Sequence, residues 1–161
     1  MDVDIREAKE QDLPAIIDLY KQFGGSDSEQ LSIEDAIQMF RKINIYPDYK
    51  LYVAMKNEQI VGTFLLLILD GLAHQDKPSG IVEDVVVHEQ WRDKGIGKLM
   101  MQFAMDQCKR IGCYKLVLSS GMQRTAAHQF YESLGFQKHG YSFRVDFEGI
   151  SYGGPTSVEL R

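Results

Sequence analysis

Ile81-Val82-Glu83-Asp84-Val85-Val86-Val87-His88-Glu89-Gln90-Trp91-Arg92-Asp93-Lys94-Gly95-Ile96-Gly97 reads as a buried strand turning into an amphipathic helix. The first seven residues are apolar and mostly β-branched apart from two acids. Downstream, Ile96, Leu99, Met100, Phe103, Ala104 and Ile111 recur at helical spacing. Gly95 and Gly97 therefore fall at a strand-to-helix junction. There the unpaired amides of a first helical turn point outward with the positive end of the helix dipole, and residues without side chains let a ligand approach the backbone. Such a turn suits a phosphate or pyrophosphate. The plainer alternative is a glycine loop that serves only as a tight connection.

Spacing separates the phosphate-binding motifs. A dinucleotide fingerprint requires glycine at position 100, where Met100 stands. A Walker A loop requires glycine five residues before Gly97 and Ser or Thr after Lys98, but Arg92 and Leu99 occupy those places. What remains, V-x-x-x-x-R-x-x-G-x-G, resembles the acetyl-CoA signature of the GNAT superfamily of N-acetyltransferases. In the family pattern L-x-V-x-P-x-x-R-G-x-G-I-G, Val85, Val87, Arg92, Gly95, Ile96 and Gly97 match, while Glu89 replaces the proline and Asp93 the first glycine. The resemblance implies that the amides of Arg92, Asp93, Lys94, Gly95, Ile96, Gly97 and Lys98 hold the pyrophosphate of acetyl-CoA. It also implies that the pantetheine arm runs beside Val85, Val86 and Val87 like an added strand, with the Val85 amide polarising the thioester carbonyl.

At 161 residues the chain fits a single domain, 1–161. A net charge of −5 and a pI near 5.3, without any block of Lys and Arg, argue against a nucleic-acid partner. The longest apolar run, 64–69, is too short for a membrane span, and Met1-Asp2-Val3-Asp4 does not open like a secretory signal, so a cytoplasmic location is expected. Cys108 and Cys113 have no further cysteines to join in a disulfide framework or metal cluster, and no His spacing suggests a metal site.

Around the signature, Val3 and Ile5 suggest a short strand, and Ile16 to Phe23 a helix begun by Asp12 and Pro14 and ended before Gly24-Gly25. Ser32-Ile33-Glu34-Asp35 resembles a capping box that opens a second helix through Ile43. The runs 51–55 and 60–69 flank Asn57-Glu58-Gln59 as a hairpin whose second strand, apolar on both faces, is central. Residues 70–80 read as a polar loop bordering the substrate site. A strand at 115–119 and a helix from Thr125 to Leu134 follow, then closing strands over 136–147 and an edge strand at 157–160. This order predicts an α/β (α+β) fold, a mixed, mostly antiparallel sheet with helices on both faces. The family resemblance implies the same.

Acetylating an amine requires a proton acceptor, a polarised carbonyl and a proton for the departing thiolate. Glu83 and Asp84 are acids within an apolar strand, costly to bury without a role, and desolvation would raise their pKa values toward working pH. Strand alternation places them on opposite faces, so only one faces a given cleft; Glu83 is the favoured base. Either acid could instead pair with a cation or a backbone amide. The pair, with Gly112-Cys113-Tyr114-Lys115, is similar to glucosamine-6-phosphate N-acetyltransferases. Thr125-Ala126-Ala127-His128-Gln129-Phe130-Tyr131 through Gly135-Phe136 resembles the superfamily motif N-x-x-A-x-x-F-Y-x-x-x-G-F. That likeness assigns Tyr131 as general acid, against a simpler role as a core aromatic. Arg124 stands where the motif has asparagine and could reach a CoA phosphate. The Arg-x-x-Ala-His-x-Phe-Tyr version is also similar to aminoalkylphosphonate acetyltransferases. The expected activity is direct transfer to the primary amine of a small molecule, without a metal; a homodimer is open to it. Acetylation of protein lysines or N-termini, or acyl-CoA sensing without catalysis, are the alternatives.

Overall fold

The computed structural model describes residues 2–23, 31–145 and 147. Five strands, β1 (Asp4–Glu7), β2 (Tyr49–Lys56), β3 (Gln59–Leu69), β4 (Ser79–Val87) and β5 (Lys115–Leu118), form one sheet in sequence order. The first four are antiparallel, and β5 joins β4 in parallel. Helices α1 (Leu13–Tyr20) and α2 (Ile33–Ile43) cover one face, and α3 (Ile96–Ile111) covers the other; α4 (Thr125–Ser133) follows β5. This is the mixed, mostly antiparallel sheet with helices on both faces that the sequence predicts.

Local chemistry accounts for the boundaries. Ser32 Oγ accepts from the Asp35 amide at 3.1 Å and caps α2. Asn57 and Glu58, both left-handed (φ 48° and 62°), make the two-residue hairpin turn whose twist suits antiparallel strands. Helix α3 ends on Gly112 (φ 89°), whose N–H donates to the carbonyls of Cys108 and Lys109. Before α1, Asp12 is buried; it accepts two bonds from Arg6 (2.7 and 3.0 Å) and one from the Lys9 amide (2.7 Å), tying β1 to the helix start.

Two cores lie on the two faces. Leu13, Ile16, Ala36 and Phe40 pack on Leu51, Val53 and Leu65. On the other side, Ile96, Met100, Met101, Ala104 and Cys108 pack on Tyr52, Ala54, Phe64, Leu66 and Val82. Helix α3 lies close to the sheet. A Cβ on Gly80 would sit 2.3 Å from Cys108 Sγ and 2.9 Å from Leu116 Cδ1, and one on Gly62 would sit 2.7 Å from Met100 Sδ. Burial pushes the Cys108 thiol up to about 12, so it packs as a small apolar group. No helix among the described residues is long and apolar enough to cross a membrane.

Two expectations are corrected, and a third falls outside the described residues. Residues 137–145 carry no regular secondary structure, so the described part of 136–147 supplies no closing strand. The reason is visible in their exposure, with Tyr141, Phe143 and Val145 all left open to solvent. The loop expected over 70–80 is shorter, because Ser79 and Gly80 open β4; His74 within it packs on Tyr114 (4.5 Å between centroids), and the phosphate-type turn follows Val87 at the other end of the strand. The antiparallel course of β3 and β4 separates the two. The expected edge strand at 157–160 lies outside the described residues.

Candidate active site

The sheet opens where chemistry is expected. β4 and β5 pair only over Ser79–Val82 and Lys115–Leu118. From Glu83 to Val87, β4 therefore presents an edge that β5 does not cover, a fork with the kind of edge on which an extended chain can add as another strand. Two residues past the end of β5, Ser120 Oγ is buried without a hydrogen-bond partner among the described residues. Val85 and Val87 pack toward the α3-side core, and Val86, opposite Thr63, is buried.

The fork leads into the glycine turn. His88 N–H bonds to Val61 C=O (2.9 Å), a 3-10 turn spans Glu89–Trp91, and Asp93 (φ 59°) and Gly95 (φ 79°) are both left-handed. Arg92, just before them, is extended (φ −63°, ψ 156°). The first intrahelical bond of α3 runs from Leu99 N–H to Gly95 C=O at 3.1 Å. The amides of Ile96, Gly97 and Lys98 precede it and have no helical acceptor, which is the arrangement a pyrophosphate requires. Asp93 stands where the family pattern has glycine and takes a conformation that aspartate tolerates better than most residues. The two glycines do different jobs. Gly95 is needed for its φ, since an added Cβ would meet nothing within 4 Å; Gly97 is needed for space, since its Cβ would lie 3.1 Å from Phe130 Cζ of α4.

Side chains around the turn are largely engaged in the fold. The Arg92 guanidinium donates to Val87 C=O (3.2 Å) and to Gln22 Oε1 (2.6 Å), which joins the turn to the end of α1. Trp91 is partly buried against the core, with Lys56 Nζ and Lys94 Nζ 5.2 and 5.0 Å from its ring. His88 Nδ1 accepts from the Gln90 amide, and His128 Nε2 contacts Gly121 C=O at 2.9 Å.

The acids do not follow strand alternation. Thr63 pairs with Val86 and Leu65 with Glu83, leaving Asp84 and Val85 both opposite Phe64. Asp84 is left-handed (φ 49°). This β-bulge corrects the expectation that the two acids face opposite ways, because the extra residue re-aims its side chain. Register places Glu83 on the α1–α2 face beside Leu65, the face that also carries Tyr49. Burial raises the phenols of Tyr49 and of Tyr20 on α1; Asp84 adds to both, and Glu83 adds to that of Tyr49. Burial pushes both acids above the usual carboxylate range, and the charge of Asp84 pushes Glu83 further.

Tyr131 lies on the other side of the fork, partly buried against the α3-side core and in ring contact with Phe130 (5.1 Å) and Phe136 (5.7 Å). Burial raises its phenol, while the nearby charge of Arg124 works in the opposite direction. Glu83 and this phenol thus lie on opposite faces of the sheet. Sequence reasoning missed Tyr20, Tyr49 and Ser120, because nothing in local pattern brings α1, β2 and the β5–α4 link to β4. A polar cavity of about 150 Å³ between Lys50, Tyr52 and the end of α3 at Arg110 is lined by none of these residues. Among the described residues, no group of three or more His, Cys, Asp or Glu could hold a metal ion.

Comparison with known proteins gives concordant results. Residues 13–136 match the model of the Acetyltransferase (GNAT) family. Glucosamine 6-phosphate N-acetyltransferase of Trypanosoma brucei brucei is 28% identical over 149 residues, covering 91% of this chain and 97% of the relative. The Arabidopsis thaliana protein of the same name is 31% identical over 105 residues, covering 63% and 68%. Among solved structures, a putative acetyltransferase from Agrobacterium tumefaciens superimposes with a TM-score of 0.84 at 31% identity, covering 89% of this chain and 99% of that one.

Proposed function

This chain belongs to the GNAT family of acetyltransferases, and on that premise we propose that it moves the acetyl group of acetyl-CoA directly to the primary amine of a small molecule. The observation that carries the reading is the fork that opens past Val82 and runs into the unpaired amides before Leu99. An extended arm ending in a diphosphate fits both parts at once. The amides of Asp93 to Lys98 would hold the diphosphate, without the Arg92 amide expected among them, since that N–H donates to Glu89 C=O at 3.3 Å; Ser120 Oγ and the uncovered edge at Val85–Val87 would take the polar groups of the arm. Arg124 stands near enough to Tyr131 to influence its phenol and could also reach a phosphate.

Acetyl-CoA supplies an activated thioester. Glu83, with its raised pKa, accepts a proton from the ammonium form of the substrate, directly or through one water, and frees the nitrogen lone pair. The Val85 amide is placed to bond the carbonyl oxygen as negative charge gathers there. A C–N bond forms, the C–S bond breaks, and the electron pair leaves on sulfur, to which Tyr131 returns a proton. No metal is called on. The relatives named for glucosamine 6-phosphate support a small amine as acceptor. We further assign the protein to the cytoplasm, with the amine and a second copy of itself as partners, and with neither nucleic acid nor membrane among them.

The test is thiol release from acetyl-CoA across amino sugars and their phosphates, aminoalkylphosphonates, polyamines, amino acids and peptides. Turnover of a small amine is expected. Coenzyme A binding without turnover of any amine would refute catalysis, and turnover of peptides alone would move the activity to protein acceptors.

A further inference from the structure

The C-terminal end of α3 brings two cysteines together through its main chain. Cys113 N–H donates to Cys108 C=O at 2.9 Å and Gly112 N–H to Lys109 C=O at 3.2 Å, with Gly112 left-handed (φ 89°). These two bonds make a Schellman ending, in which the residues at the first and last positions turn their side chains onto each other. An apolar contact commonly fills those positions; here they hold Cys108 and Cys113. Adding the covalent bonds on either side of the 2.9 Å hydrogen bond keeps the two Cα atoms within about 7 Å, a span that a disulfide bridges.

The side chains follow the backbone. Cys108 is buried in the α3-side core, and Cys113 is half-buried and packs against the same cluster. Burial raises the Cys108 thiol, and the Cys113 thiol beside it raises it further. The frame around the pair is held on both sides: Cys108 Sγ lies over Gly80, where an added Cβ would be 2.3 Å away, and Tyr114 N–H donates to Pro78 C=O at 3.0 Å. The chain has two cysteines in all, so no third thiol competes for either. The pair stands at the Ser79 end of β4, away from the glycine turn that follows Val87, and no step of the proposed acetyl transfer uses it.

We propose that Cys108 and Cys113 are a redox-active dithiol, which low-molecular-weight disulfides convert to an intrachain disulfide tying the end of α3 to the approach to β5. Cys113, which solvent reaches, reacts first. Its thiolate attacks one sulfur of the oxidant, that S–S bond breaks, and a thiolate leaves and takes up a proton. Cys108 then gives its proton to solvent and attacks Cys113 Sγ, expelling the second thiol. Two protein thiols are oxidised, and the one small disulfide is reduced to two thiols. The folded, full-length chain tests this in buffers of stepped reduced-to-oxidised glutathione ratio, quenched with acid, alkylated and digested with trypsin. Cleavage after Lys109 and Arg110 separates the cysteines, so peptides 99–109 and 111–115 stay joined only where a disulfide links them. The joined pair is expected to grow with the oxidised fraction, in a chain that migrates as a monomer without reductant, and dithiothreitol should return both thiols. Cys108→Ala should stop at one glutathione on Cys113, and Cys113→Ala should leave Cys108 unmodified while folded, with circular dichroism checking both variants. Two free thiols in the wild type at the most oxidising ratio, glutathione retained on its Cys113, or peptides joined only between chains would each overturn the proposal, whether or not the variants fold.

Discussion

Replacing Gly95 by alanine isolates the conformation of the glycine turn from its packing. An added Cβ at this position would have no neighbour within 4 Å, so no clash contributes. What remains is φ 79°, where a side chain costs about 1–2 kcal/mol in an L-residue. For a chain of this size that corresponds to a fall in Tm of roughly 2–8 °C at about 2–4 °C per kcal/mol. If the variant relieves the strain by leaving the left-handed region, at least one amide of the turn changes direction. A hydrogen bond to a charged group contributes about 1.5–3 kcal/mol, so coenzyme A should bind roughly 10- to 150-fold more weakly. Thermal unfolding and titration calorimetry read the two effects separately. Gly97→Ala provides the contrast. Its defect should come from Phe130, 3.1 Å from the new methyl, and should be largely relieved by adding Phe130→Leu, which leaves Gly95→Ala unimproved. Wild-type affinity and stability in Gly95→Ala would refute the argument that left-handed geometry at this residue builds the anion site.

Glu83→Gln should lower kcat by about 10²–10⁴-fold with little change in coenzyme A affinity. The wild-type acid limb should lie above the usual carboxylate range and, because Asp84 raises Glu83, should move to lower pH in Asp84→Asn; an unmoved limb would remove Glu83 as the base. Arg124→Met removes a charge that holds the Tyr131 phenol down, so the alkaline limb, where the proton donor is lost, should shift upward in a pH–rate profile. Asp12→Asn should destabilise the fold by about 2–3 kcal/mol in urea unfolding at neutral pH, since a buried acceptor of charged and backbone donors is lost. Arg6 holds the Asp12 carboxyl below its ordinary value of 3.8, so this contribution is complete above that value and disappears as pH falls below it. Wild-type and variant curves should therefore converge in acid.

Much of this structure was legible because its signals are local. Ser32 caps the helix that begins at Ile33, Asn57 and Glu58 turn the hairpin, and Gly112 ends α3, each through bonds or torsions within a few residues. The glycine turn belongs to this class, since a β-branched run followed by glycines and helical periodicity needs no distant partner. Other features depend on tertiary contacts. The bulge at Asp84 inserts a residue that an alternation rule cannot anticipate, and it decides where the acids point. Arg92 finds Gln22 seventy residues away, so its structural bonds leave no trace beside the motif. Helical spacing selected Leu99 and Ile111 for the core, yet they are 37% and 45% exposed while Met101 and Cys108 are buried. The actual contact stripe is set by how close Gly62 and Gly80 let the helix come. The alternating pattern after α4 was legible as a strand, but a strand requires an edge, and residues 137–145 pair with none among the described residues.

The nearness of α3 to the sheet bears on how sequences with this architecture can diverge. At Gly62 and Gly80 even a methyl group would collide with helix atoms, so drift on that side is confined to exchanges that preserve a bare backbone. Across the sheet, Leu13, Ile16, Ala36 and Phe40 interlock through ordinary side chains that can be swapped for others of similar bulk. Bulk can therefore be redistributed around α1 and α2 more freely than at the two points where α3 rests on bare strand backbone, for want there of a single carbon atom's room.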